Sequence, residues 1–164
     1  MKTRNLTWDD VKKLQFGIIR QICQDEWMPD LIVGIGRGGL PSATMLSHFL
    51  GVKMVSLDVS LRDGVMGPES NCWLPEMAVN GQRILIVDDI NDTGDTINWI
   101  RDDWNSAVAN NAVDELWETG IRFATLFDNA TSRSTVTVSY SGETINKLDN
   151  DAWIVFPWED WWDV

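Results

Sequence analysis

The sequence predicts an α/β fold, a mostly parallel twisted sheet flanked by helices, and three observations carry that expectation. Short runs rich in Ile, Leu and Val (30–36, 53–59, 83–88 and 120–127) alternate with segments whose apolar residues recur at helical spacing. Such alternation is what parallel neighbours need, because each must be reached by a crossover. Two of the runs end directly in a turn, one rich in glycine and one in aspartate, from which a helix starts.

Taken in order, Thr7 followed by Asp10 resembles a capping box with Asp in place of Glu. Val11, Leu14, Ile18 and Ile22 then repeat at helical spacing, giving a first helix over 8–25. Asp30 to Gly36 is a strand ending in glycines, followed by Pro41 and a helical stretch to Leu50 with Gly51 as the stop. Lys53 to Val59 gives the next strand. Residues 62–82 hold three glycines, two prolines and no sustained period, and read as a long mobile loop. Ile84 to Val87 form a central strand with Asp88 and Asp89 at its carboxyl end, and a helix over 94–109 keeps Ile97, Ile100, Trp104 and Val108 on one face. A strand over 120–127 follows. From Asp128 the pattern changes to Thr/Ser alternation (134–140) and then a tryptophan-rich end, a small appended subregion. The expectation is one domain over 1–164, with a core of about 1–127 and the remainder about 128–164.

Composition bounds the function. Hydrophobic content of 44% and charge of 23% are those of a globular protein, and no segment approaches the roughly 18 apolar residues of a membrane span. The first ten residues lack the apolar core of a secretory signal, so a cytoplasmic protein is expected. Cys23 and Cys72 make neither a metal cluster nor a disulfide framework. A net charge of −12 disfavours nucleic acid, though an acidic chain still binds a phosphorylated small molecule when backbone N–H groups, a few arginines and a divalent cation do the neutralising. His48 and most of the ten tryptophans read as packing or surface residues.

The chemistry concentrates in the two turns. Gly34 to Gly39 matches G-x-G-x-x-G, with Asp58 about twenty residues on at the end of the next strand. By itself this is either a dinucleotide fingerprint or a tight turn that only glycine fits. The stretch Ile84 to Thr96 adds four carboxylates (Asp88, Asp89, Asp92, Asp95) and two hydroxyls (Thr93, Thr96) directly behind an apolar run, a cluster with no role in a nicotinamide site. Together, residues 36–39 offer N–H groups and a guanidinium to a diphosphate, and residues 92–96 offer N–H groups and hydroxyls at a helix N-terminus to a monophosphate. A ligand with a diphosphate, a diol and a monophosphate, accompanied by magnesium, fits: 5-phosphoribosyl 1-diphosphate.

Val87 to Thr96, thirteen residues long when counted from Ile84, resembles the phosphoribosyl-diphosphate motif of type I phosphoribosyltransferases. The order of glycine turn, mobile loop and acidic motif is similar to that family's. Asp151 to Glu159 and Thr7 to Asp9 resemble the C-terminal segment and the start of bacterial xanthine-guanine phosphoribosyltransferases. The resemblance implies the type I phosphoribosyltransferase fold with a C-terminal hood, and transfer of phosphoribosyl to guanine, xanthine or hypoxanthine with release of diphosphate and Mg2+ as cofactor. It implies that Asp88 and Asp89 hold the ribose hydroxyls and place the metal, directly or through water. Asp92, Thr93, Gly94, Asp95 and Thr96 would cradle the 5-phosphate, with Asp92 also accepting a proton from the base. Arg37 and Gly38 would bind the diphosphate beside a cis Gly36–Arg37 peptide, and a loop over 62–78 would close. Trp153 would stack on the purine, with backbone groups near Ile154 reading its edge. The family's dimers and tetramers, with the exposed tryptophans, imply a homo-oligomer.

Two positions depart from that pattern. Where xanthine-guanine enzymes have a lysine that contacts the purine 6-oxo group, this chain has Phe127, Asp128 and Asn129, and no lysine until Lys147. Asn129 would then donate to the oxo group without charge. Leu61 stands where an aromatic residue is usual. A regulatory protein that binds the sugar diphosphate or a nucleotide without catalysis, a transferase for a non-standard base and, third, a nicotinamide site stay open on the sequence.

Overall fold

Residues 1–59 and 73–163 are described by the structure, a computed structural model. Its central layer follows from the apolar runs. In β2 (Leu31–Gly36) and β4 (Ile84–Asn91) successive residues point to opposite faces, so a strand covered on both sides must be apolar throughout. Leu31, Val33, Ile35, Ile84 and Ile86 bury on one face, and Ile32, Leu85 and Val87 on the other. Each such side chain contributes on the order of 1.5–3 kcal/mol.

Helices α1 (Trp8–Asp25) and α2 (Gly39–Leu50) cover the second of these faces through Val11, Ile18, Ile22, Ala43 and Leu46. The Thr7–Asp10 capping box starts α1, with Asp10 accepting from the Thr7 N–H at 2.9 Å, and Gly51 stops α2 at φ +66°. Helices α3 (Trp73–Val79) and α4 (Asp95–Ala107) cover the other face, with Leu74, Ala78, Ile97, Ile100 and Trp104 buried. The five-stranded sheet, ordered β3 (Met54–Asp58), β2, β4, β5 (Ile121–Asn129), β6 (Val138–Ile145), is parallel at every pairing. No helix among the described residues is long and apolar enough to cross a membrane.

Three features differ from the sequence expectation. Residues 73–79 of the expected loop are helical. Seven residues are too few to show a period, and Pro75 sits in the first turn, where its missing N–H costs nothing. Residues 60–72, with Leu61 and Cys72, lie outside the described residues. Second, β4 and β5 run to Asn91 and Asn129, so Asp88 and Asp89 lie within a strand rather than after it, held by the pairing of Ile90 with Phe127 and of Asn91 with Asp128. Third, the Thr/Ser-rich segment is not an appendage: β6 continues the main sheet beside β5 and packs on α1. There a Cβ at Gly142 would press on the Leu126 carbonyl and Leu14. What stands apart is a two-stranded parallel sheet of β1 (Thr3–Asn5) and β7 (Trp153–Val155). The three exposed residues of β1 carry no periodic signal.

Candidate active site

The chain runs from β2 outward to β3, then returns to β4 on the other side of β2, which leaves a crevice at the carboxyl ends of β2 and β4. Register pairs Gly34 with Val87, so the glycine turn and the acidic turn leave the sheet side by side. A cavity of about 760 Å³ opens there. Residues 36–38 and 88–96 supply one part of its lining, and Lys147, Trp153, Ile154, Phe156 and Trp158 another, the two parts meeting at the Lys147–Asp92 ion pair.

At the first end the backbone is drawn close. A Cβ on Gly39 would overlap the Val87 carbonyl, so the turn closes onto β4 only with glycine there, and one on Gly38 would displace the Asp89 carboxylate. The Gly36–Arg37 peptide is cis, and Arg37 is exposed at the cavity rim. Asp88 accepts from the Asp89 N–H at 2.9 Å and Asp89 from the Ile90 N–H at 2.7 Å, which fixes both carboxylates against the strand. Helix α4 starts at Asp95 behind Gly94, which has φ +95° and supplies no side-chain cap. The Asp95 N–H donates to the Thr93 hydroxyl at 3.2 Å, and Gly94 offers no side chain to the other first-turn N–H groups of α4, an arrangement that suits an anion. The 129–135 segment presses on this turn: a Cβ on Gly94 would overlap the Ser134 backbone, and the Arg133 N–H donates to the Thr93 carbonyl at 2.9 Å.

The other end is aromatic. Phe156 and Trp158 stack with centroids 4.8 Å apart, Trp153 is 40% exposed, and Ile154 is buried. The Glu159 carboxylate accepts from the Phe156 N–H at 2.7 Å. Lys147 reaches into the cavity with its Nζ 2.8 Å from Asp92 Oδ2 and 5.8 Å from the Trp153 ring centroid. Asn129 does not line the cavity. It is buried, its amide donates to the Asp92 carbonyl at 3.0 Å, and its oxygen accepts from Thr131 and from the Lys147 N–H. The structure thus places Asn129, expected to meet the base, outside the cavity lining, with its side chain bonded to the neighbouring turn.

The family model for the phosphoribosyl transferase domain matches residues 5–161. This chain belongs to the phosphoribosyltransferase family. It is 30% identical over 133 residues to a xanthine-guanine phosphoribosyltransferase of Cereibacter sphaeroides, covering 78% of this chain and 68% of that one. With one of Gluconobacter oxydans it shares 25% identity over 158 residues, covering 94% and 83%. Among solved structures, a purine phosphoribosyltransferase from Pyrococcus horikoshii superposes with a TM-score of 0.69 at 27% identity, covering 98% and 96%. The α/β architecture described above is that of the type I phosphoribosyltransferases.

In this phosphoribosyltransferase the cavity brings together Arg37, Gly38, Asp88, Asp89, Asp92, Thr93, Gly94, Asp95 and Thr96 with Trp153 and Ile154, all singled out in the sequence. It adds Lys147, Asn91 and Thr125, which were not. Thr125 pairs with Asp88 across the strands, and its buried hydroxyl has no hydrogen-bond partner among the described residues. No sequence signal marks Thr125, which sits inside an apolar run. Asn91 carried one, as the polar residue just before Asp92 in the acidic motif.

Proposed function

We propose that this protein is a magnesium-dependent purine phosphoribosyltransferase, joining the phosphoribosyl group of phosphoribosyl diphosphate to N9 of a 6-oxopurine and releasing diphosphate. The observation that carries the reading is the pair of adjacent turns, both suited to phosphate groups, with Asp88 and Asp89 between them and an aromatic wall facing them across one cavity. Residues 92–96 and the first turn of α4 hold the 5-phosphate. The two aspartates accept from the ribose hydroxyls, and Gly38 with Arg37 binds the diphosphate. Trp153 stacks on the purine, backbone groups at Ile154 meet its edge, and the proton the purine loses passes to Asp92.

Two adjacent carboxylates are oxygen donors of the kind Mg2+ prefers. Among the described residues no three His, Cys, Asp or Glu gather as a metal cage, which fits an ion held by one or two carboxylates and substrate phosphates. Such an ion would offset the charge of the leaving diphosphate. The carboxylates that hold the ribose also stabilise the positive charge that develops on its ring.

The test is a product assay with labelled guanine, hypoxanthine, xanthine, adenine and uracil, each with phosphoribosyl diphosphate and Mg2+. Nucleoside monophosphate from the 6-oxopurines supports the reading. Binding of phosphoribosyl diphosphate without product from any base overturns it in favour of a non-catalytic nucleotide-binding protein.

A further inference from the structure

We infer that Lys147 is the specificity-determining residue of the base end, donating from its ammonium to the ring oxo group of the purine. The inference rests on the transferase reading above and adds which side chain selects the base. Among the described residues lining the cavity the cations are Arg37 and Lys147; Arg37 belongs to the glycine turn, whereas Lys147 has its Nζ near the Trp153 ring. The Lys147 side chain is 15% exposed, its Nζ 5.8 Å from the centroid of Trp153, the ring assigned to stack on the base. The ammonium lies over the Trp153 ring, so a purine stacking on that face moves it aside to the purine's rim. An ammonium donates only, so it favours an oxo acceptor over an amino group. Its present partner, Asp92 Oδ2 at 2.8 Å, is the group assigned the purine's proton, so one lysine spans the base and its proton acceptor.

The backbone supports the same conclusion. Asn129, at the end of β5, does not project into the cavity; its oxygen accepts from the Lys147 N–H at 3.2 Å and its amide fixes the Asp92 carbonyl. One turn residue therefore positions both members of the ion pair. The cation at the base end is delivered from the turn after β6 and held by the residue that ends β5.

Calorimetric titration with IMP and AMP tests this without turnover, since the two share sugar and phosphate and differ at purine position 6. Wild-type protein should prefer IMP. Lys147→Met should lower IMP affinity by about 10- to 100-fold while changing AMP affinity less than about threefold. Lys147→Arg should keep most of the preference, and thermal denaturation should show both variants folded; if Lys147→Met is not folded, Lys147→Gln takes its place with the same expectation. Equal losses for IMP and AMP would overturn the inference, reducing Lys147 to an organiser of Asp92, and so would unchanged IMP affinity. Wild-type protein that binds neither nucleotide would overturn the transferase reading as well, whereas nucleotide binding with unaltered selectivity in the variant defeats the inference alone.

Discussion

The two ends of the cavity are built by different means. The sugar-phosphate end comes from two short contiguous stretches, 36–39 and 88–96, and most of its chemistry is backbone: close approach at Gly38 and Gly39, the positive φ of Gly94, the N–H groups opening α4. Side chains from scattered places make the base end, with Lys147 after β6, Trp153 and Ile154 on β7, and Phe156 and Trp158 beyond. A site of backbone geometry demands a fixed run of residues, whereas one assembled from side chains can be filled from several directions.

That contrast can be broken at either end. The largest effect is expected from Asp88→Asn with Asp89→Asn, which should lower kcat by at least about 1,000-fold in steady-state assays with the circular dichroism spectrum unchanged. Normal turnover would mean the acidic stretch has been assigned wrongly. Gly94→Ala combines a strained positive φ with an overlap on Ser134, and should cost about 2–3 kcal/mol in denaturant unfolding. Because Ser134 belongs to the segment that carries the base end, calorimetry should show both phosphoribosyl diphosphate and IMP binding more weakly. If IMP binding alone survives, the two ends are more separable than their contact suggests. Trp153→Ala should sharpen the distinction from the other side, raising KM for the purine about tenfold while phosphoribosyl diphosphate affinity stays within twofold of wild type.

The smallest effect concerns neither end. Asp30 accepts from the backbone N–H and then the side chain of Arg83, which holds its carboxyl below the ordinary carboxylate range. A depressed folded value means the stabilisation is present above that range and is lost as pH falls through the lowered one. Asp30→Asn should therefore be slightly less stable than wild type at pH 7 in urea melts, and the gap should close below about pH 4. A gap that stays constant with pH would show that the Asp30 charge adds nothing.

The same contrast decides what the amino-acid sequence discloses. The strands and the long helices were legible because two-sided burial demands continuous apolar runs and one-sided burial a 3.6-residue period, as Ile84 to Val87 and Val11, Ile18 and Ile22 show. Gly38, Asp88, Asp89 and residues 92–96 were legible because their spacing along the chain is their spacing in space. Helix α3 was hidden by its length, and β6 by polar residues that an edge strand tolerates on its outer side. Lys147 was illegible for another reason: it lies 55 residues from Asp92, and only the pairing of β4, β5 and β6 carries them together. That Asn129 lies outside the cavity lining was not legible, because a sequence position tells which residue ends β5, not where its side chain turns.

The parallel pairing of β1 with β7 makes the start of the chain a support for the aromatic wall. Thr3 and Arg4 align with Trp153 and Ile154, and the Leu6 N–H donates to the Val155 carbonyl at 2.9 Å. The partners are about 150 residues apart, the costliest kind of contact to close as a chain folds. During synthesis β2, β4 and the first turn of α4 are made well before Trp153, so the two turns precede the β1–β7 pair. Substitutions in Thr3 to Asn5 therefore act directly on the strand that carries the ring assigned to the purine.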